Sequence, residues 1–198
     1  MLNDRSTKPD TRERILEAAF TVLSRQGYEN VSIKDIAEEA GVAQGLVHYH
    51  FKSKQQLVLA VLDFVCQKVE IGAATGEAGA LEAFADMKRS LVDSRDANSL
   101  YVQLIGVGLH DALVGGGVRD FIRSERAHIE ALARQVLGER KQFDGAARGI
   151  AAVVWAAVLG IMIQNLVDPE FDADEAVDTL AAMSLSAVYP GAQSRPEA

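Results

Sequence analysis

A single glycine, Gly41, separates two short segments of helical periodicity, and this arrangement restricts the fold more than any other feature of the chain. Ser32 stands where an N-cap is needed, with Asp35 three residues on. Ile36, Ala37 and Ala40 then form an apolar stripe, while Lys34, Asp35, Glu38 and Glu39 face outward. A second short helix is expected over Gln44–His50. The residue before it, Ala43, has no side-chain acceptor and caps it weakly. Gly41 accepts a positive φ at the turn without a Cβ clash, and the small Ala37 lets the second helix pack close. Val42 and Val47 are expected to point inward and fix the angle between the helices.

The flanking sequence is helical as well. Asp10 is placed as the N-cap of a first helix, with Glu13 completing a capping box. Ile15, Ala18, Ala19, Val22 and Leu23 follow at helical spacing, and Gly27 supplies the stop. Phe51-Lys52-Ser53-Lys54 breaks the pattern. A fourth helix is expected over 55–71, with Leu57, Val58, Val61, Leu62, Val65 and Val69 as its stripe. Gly72, Gly76 and Gly79 mark a loop. Five further helices are read over 81–94, 99–113, 118–137, 146–167 and 173–188, with breakers at 96–98, 115–117, 138–145 and Asp168-Pro169. A disordered tail is expected from Pro190. Four prolines and few aromatics argue against a sheet-rich chain. The expected fold is all-α, with about nine helices: a three-helix N-terminal domain over 1–54 and a helical bundle over 55–198.

Charge is distributed unevenly. Residues 1–54 carry 8 Lys/Arg and 8 Asp/Glu, so the formal net charge of −8 arises wholly in 55–198. An acidic body keeps most of the surface away from phosphates and leaves the N-terminal quarter as the face that can approach them. Plain acidic solubility fits the same counts. Cys66 is the only cysteine, so no internal disulfide forms and a reducing compartment is the default. It lies beside a valine-rich stripe, where an inert buried thiol is favoured over a redox switch. The polar stretch Met1 to Asp10 shows no secretory signal. The longest apolar run, Ile150 to Ile163, is shorter than the roughly 20 residues a bilayer span takes. It reads as a buried helix. A soluble, cytoplasmic protein without a membrane partner is expected.

Thr11-Arg12-Glu13-Arg14-Ile15-Leu16-Glu17-Ala18-Ala19, Gly27-Tyr28, Val31-Ser32, Ile36-Ala37, Ala40-Gly41-Val42, Gly45, His50-Phe51 and Lys52-Ser53-Lys54 together closely resemble the N-terminal domain of the TetR family, without gaps, over about the first quarter of the chain. The resemblance implies a helix-turn-helix whose second helix enters the major groove, about 12 Å wide. It implies base reading by Gln44, Gly45 and Leu46. Gln44 suits a bidentate pair with adenine and Leu46 a thymine methyl. It implies phosphate contacts from His48, Tyr49, His50 and Lys54, and from Ser32, Ile33 and Lys34 at the start of the second helix. Ala43 and His48 depart from the family's usual Ser or Thr and Tyr, which removes a cap and alters one contact. Tyr49 and Phe51 also fit a core role, which is the stronger reading for Phe51. Lys52 and Lys54 also read as an ordinary solvated pair. His48 and His50 point about 200° apart on a helix and do not chelate one metal.

For the remainder, the resemblance implies an effector-binding and dimerising bundle. Val154, Val158 and Ile161 recur at helical spacing, as do Val177, Leu180, Ser184 and Val188, and they suit a two-fold four-helix homodimer interface. Small residues such as Ala151, Ala157, Ala181 and Ser184 allow close helix approach. Tyr101, Gln103, His110, His128, Trp155, Met162, Gln164 and Asn165 place polar, aromatic or thioether groups on apolar helices, as a small-molecule pocket needs, though each also fits core or surface. No phosphate loop, zinc-ligand spacing or nucleophile elbow is present, and the glycine run 115–117 lacks the lysine and strand of a P-loop. No enzyme activity, cofactor or metal is expected. The expected function is a ligand-responsive regulator, a repressor released from palindromic operator DNA. The alternatives are a helical ligand-binding or scaffold protein without DNA binding, and an activator of the same fold.

Overall fold

The computed structural model describes residues 10–66, 76–138 and 145–188, and these residues form helices α1 (Thr11–Gln26), α2 (Ile33–Glu39), α3 (Gln44–His50), α4 (Lys54–Cys66), α5 (Gly76–Asp93), α6 (Arg95–Gly108), α7 (Ala112–Leu137), α8 (Ala146–Val167) and α9 (Ala173–Val188). No strand occurs among the described residues. Expectations for the Cys66 and Val188 side chains, the helix beyond Cys66 to Ile71, Gly72, and the tail from Pro190 fall outside what is described. By contact the chain forms two units: Met1–Lys68 with Ser99–Val118, and Val69–Asn98 with Arg119–Ala198. Helices α6 and α7 each contribute to both.

In the first unit, α1 packs against α2 and α4, and α2 against α3. Ile15, Leu16, Leu23, Ile36, Val47, Leu57, Val58 and Val61 are fully buried. The α2 capping box forms as the sequence requires: the Ser32 N–H donates to Asp35 Oδ2 at 2.8 Å, and the Asp35 N–H to Ser32 Oγ at 3.3 Å. The expected box at α1 does not form. Asp10 makes no side-chain cap bond; its carbonyl accepts the Arg14 N–H at 3.0 Å instead. Ser53 caps α4, its Oγ accepting the Gln56 N–H at 3.2 Å.

The glycine run 115–117 does not break the chain but lies inside α7. Asp111 opens this helix, its Oδ1 accepting the Leu113 and Val114 N–H groups at 2.9 and 3.0 Å. At Gly115 and Gly117 neighbours come too close for a side chain. A Cβ on Gly115 would lie 2.3 Å from the Gly108 carbonyl oxygen, and one on Gly117 would lie 2.3 Å from Leu59 Cδ2. Close approach therefore accounts for residues whose helix propensity is poor.

In the second unit, α9 packs against both α5 and α8. Residues 96–98, expected as a breaker, lie in the first turn of α6. Asn98 is buried there because its Nδ2 donates to the Leu91 carbonyl at 3.1 Å. Arg95 donates to the Asn165 and Leu166 carbonyls at 2.9 and 2.8 Å and so satisfies two acceptors at the end of α8. Gly76 and Gly79, expected in a loop, belong to α5. Helix α8 was expected to be buried. By length and composition it is apolar enough to cross a membrane, with a mean hydropathy of 2.2, yet only 28% of that stretch is buried. Ala147, Ala151, Val154, Val158, Ile161 and Met162 face the unit's core, while Val153 and Val167 are exposed.

Gly115→Ala is expected to destabilise the protein by about 2–3 kcal/mol, because the obstructing atom is backbone. Gly117→Ala is expected to cost less than Gly115→Ala, because its obstruction is the Leu59 side chain, which can shift where a backbone carbonyl cannot. Urea unfolding of the two variants checks the order.

Candidate nucleic-acid interface

The helix-turn-helix is built on three backbone hydrogen bonds and one side chain. The Ala40 N–H donates to the Ile36 carbonyl at 2.9 Å, Gly41 to Glu38 at 3.1 Å, and Val42 to Ala37 at 3.0 Å. Gly41 takes φ +62°, a left-handed conformation that L side chains rarely adopt. The Ala40 carbonyl, left without a helical partner by the turn, accepts from Arg14 Nη2 at 2.8 Å. Arg14 thus ties α1 to the bend, a role the sequence pattern did not reveal. Val47 seats α3 on the core with no exposure, and Phe51 ends it, buried, with its N–H on the Val47 carbonyl at 2.8 Å. The Arg12 guanidinium lies 5.5 Å from the Phe51 ring centroid. Val42 is half-buried.

With Val47 and Phe51 anchored, the other side of α3 is open. Gln44, Gly45, His48 and Tyr49 are exposed, and Tyr49 is 81% accessible. Leu46 is an exposed large apolar residue, for which burial alone gives no reason. The His50 ring meets Tyr49 edge-on at 5.3 Å and is half-buried. Ser32 and Lys34 are exposed and Ile33 half-buried at the start of α2. The candidate residues are thus accessible, and Phe51 takes the core role.

Lys54 is placed differently from a free surface cation. Its Nζ lies 4.2 Å from the centroid of the buried Tyr28 ring. Burial holds the Lys54 ammonium below its ordinary pKa, with Glu29 opposing. Burial also raises the Tyr28 phenol, helped by the negative charges of Asp111 and Glu29. The Tyr28 N–H donates to Gln103 Oε1 at 3.2 Å, and Gln55 Nε2 to Asp111 Oδ2 at 3.3 Å. These two bonds fasten the α1–α2 turn to α6 and the start of α4 to the start of α7. Asp111 is held below the usual carboxylate range, first by the Val114 N–H and then by Gln55.

The pocket candidates do not converge. Gln103 and His110 line a polar cleft of about 640 Å³ with Tyr28, Glu29 and Asp111. Tyr101 and Met162 are buried, His128 is exposed, and Trp155 meets Phe121 edge-on with centroids 6.4 Å apart. Gln164 is exposed and Asn165 half-buried. Of the interface candidates, Val154, Val158, Ile161 and Val177 are buried within one chain, and Leu180 and Ser184 are half-buried. Val153 and Met183, at 68% and 67% accessibility, are the large apolar side chains that α8 and α9 present most openly, with Val167 at the α8 terminus. No group of three or more metal-ligating side chains occurs among the described residues.

Known proteins share these features. Residues 15–61 match the family model described as bacterial regulatory proteins, tetR family. The HTH-type transcriptional regulator CymR of Pseudomonas putida is 23% identical over 163 residues, which is 79% of this chain and 80% of CymR. The HTH-type transcriptional regulator TtgR of Pseudomonas putida is 43% identical over 54 residues, a stretch that is 27% of this chain and only 26% of TtgR. Among solved structures, a TetR transcription regulator from Haloarcula marismortui superposes with a TM-score of 0.72 at 17% identity, covering 90% of this chain and 96% of its own. A transcriptional regulator from Rhodococcus sp. Rha1 gives a TM-score of 0.70 at 20% identity, over 93% and 99%. The structural likeness is one of fold.

The hydrogen bonds from Ser32 hold the Asp35 carboxyl below its ordinary pKa of 3.8. A depressed carboxylate stabilises the fold above its unfolded pKa, and that contribution is lost as pH falls through the folded value. Ser32→Ala is expected to cost about 1 kcal/mol at neutral pH. The difference from wild type should shrink on acidification below pH 3.8, as followed by thermal unfolding at several pH values.

Proposed function

We propose that this chain, a TetR-family transcriptional regulator with an N-terminal DNA-binding domain, is a repressor released from a palindromic operator by a small-molecule effector. The observation that carries the reading is an α3 anchored by Val47 and Phe51, with Gln44, Gly45, Leu46, His48 and Tyr49 left open on its other side. Such a surface serves no packing purpose among the described residues and has the residue types that read base edges and phosphates. Gln44 and Leu46 meet bases; Ser32, Ile33, Lys34, His48, Tyr49, His50 and Lys54 meet the backbone. For Lys54 this entails sharing its charge between Tyr28 and a phosphate.

A palindromic site calls for a homodimer. The exposed apolar residues of α8 and α9, Val153 and Met183 among them, supply the surface that a second copy covers. Two recognition helices must then sit about 34–36 Å apart, one turn of DNA. An effector that favours another spacing lowers operator affinity by linkage. The Gln55–Asp111 and Tyr28–Gln103 hydrogen bonds give α6 and α7 a direct hold on the DNA-binding helices.

Selection of bound sequences from random DNA tests the reading; recovery of no palindrome would overturn it. On the selected operator, Lys34→Ala is expected to lower the slope of log affinity against log salt by about one per subunit and to leave base preference unchanged. Gln44→Ala is expected to relax preference at one base position per half-site, at a cost of about 1–3 kcal/mol. Gel-shift titrations over a salt series read both.

A further inference from the structure

The second unit contains a cavity of about 90 Å³ that none of the polar pocket candidates touches. It lies among α5, α7, α8 and α9. Phe84 and Met87 line it from α5, Leu132 and Val136 from α7, Val154 from α8, and Ser184 from α9. Among its lining residues, the Ser184 hydroxyl is the one polar side-chain group, and no Asp, Glu, His, Lys or Arg takes part. We infer that this cavity is the effector site and that it takes an uncharged, predominantly hydrocarbon molecule, with room for at most one hydroxyl-sized polar group beside Ser184. The inference rests on the ligand-released reading above and adds the site and the chemical class to it.

The chemistry follows from the walls. An ion placed here would lose its hydration and meet no countercharge, which excludes carboxylates and ammonium ions. Walls that are almost wholly apolar give water few hydrogen-bond partners, so an entering hydrocarbon displaces only weakly held water and gains dispersion contacts. The size is of the right order: an apolar cavity of about 150 Å³ admits benzene. Met87 has three rotatable bonds and can widen the space for a ring.

The position gives the occupant leverage. Val154 faces the cavity while its neighbour Val153 is 68% accessible on the outer side of the same helix. Likewise Ser184 lines the cavity and Met183 is exposed beside it. A molecule that presses on Val154 and Ser184 therefore moves the two helices whose outer faces are assigned to the dimer.

The test uses the full-length protein and benzene as the probe, with benzoate and benzylammonium as charged counterparts. Calorimetric titration should detect benzene, with both ions weaker by on the order of 100-fold. Ala133→Phe, which fills the cavity from α7, should abolish benzene binding. Ala83→Leu, a smaller filling from α5, serves if Ala133→Phe does not fold, and should weaken benzene at least about tenfold. Circular dichroism and retained operator affinity establish that each variant is folded. Comparable affinity for the ions, absence of benzene binding, or benzene binding unaffected by a folded filling variant would overturn the inference. If benzene releases the operator equally from wild type and a filled variant, the cavity assignment falls and the ligand-released reading stands. If benzene fills the cavity of wild type alone but leaves operator affinity unchanged, the cavity is not an effector site and the inference falls, while the ligand-released reading stands.

Discussion

The bend at Gly41 is the constraint on which the helix-turn-helix of this protein depends. A chain that must leave one helix and enter another within a few residues strands backbone donors and acceptors. Here the groups at the bend itself find partners. Gly41 and Val42 return their N–H groups to the Glu38 and Ala37 carbonyls, and Arg14 reaches across from α1 to the Ala40 carbonyl. The positive φ at Gly41 makes that geometry reachable without strain. Because the bend is fixed, α3 has only one way to sit. Val47 enters the core, Phe51 closes the end, and what remains is presented outward.

A second set of close approaches governs how α4, α6 and α7 meet within the first unit. Gly108 and Gly115 allow two helices to touch backbone to backbone, and Gly117 makes room for Leu59. Hydrogen bonds between Gln55 and Asp111, and between Tyr28 and Gln103, lie in the same unit. The backbone contact between Gly108 and Gly115 has little slack, because neither residue has a side chain to turn aside. The second unit offers a complementary arrangement. Helix α8 buries one face against α9 and leaves Val153, Ile163 and Val167 exposed.

Much of this was legible in the primary structure, and the reasons for the exceptions are specific. The helices up to Cys66 follow from apolar periodicity, from Ser32, whose side chain caps α2, and from Gly27 and Gly41, which act through their own backbone. The resemblance to TetR-type domains rested on this same stretch, and the family match at 15–61 falls on it. The 115–117 run and residues 96–98 misled because Gly, Asp and Asn punctuate chains only when nothing else claims them. Asn98 is claimed by the Leu91 carbonyl, and Gly115 by contact with Gly108. The polar residues read as a pocket scattered for a related reason: helical spacing places a side chain on its own helix but says nothing of which helix lies opposite.

Local order was therefore written in the chain itself: where helices start and stop, which stripe is apolar, and that α3 has an outer side. These depend on interactions spanning a few residues, and sequence spacing encodes them directly. The partnership of Arg14 with Ala40, the Lys54 charge over Tyr28, the helical glycines and the apolar cavity beside Ser184 were decided by tertiary packing alone. Each requires residues far apart in sequence to arrive within a few ångströms of one another. No local periodicity carries that information, because it is fixed only when the helices have chosen their neighbours.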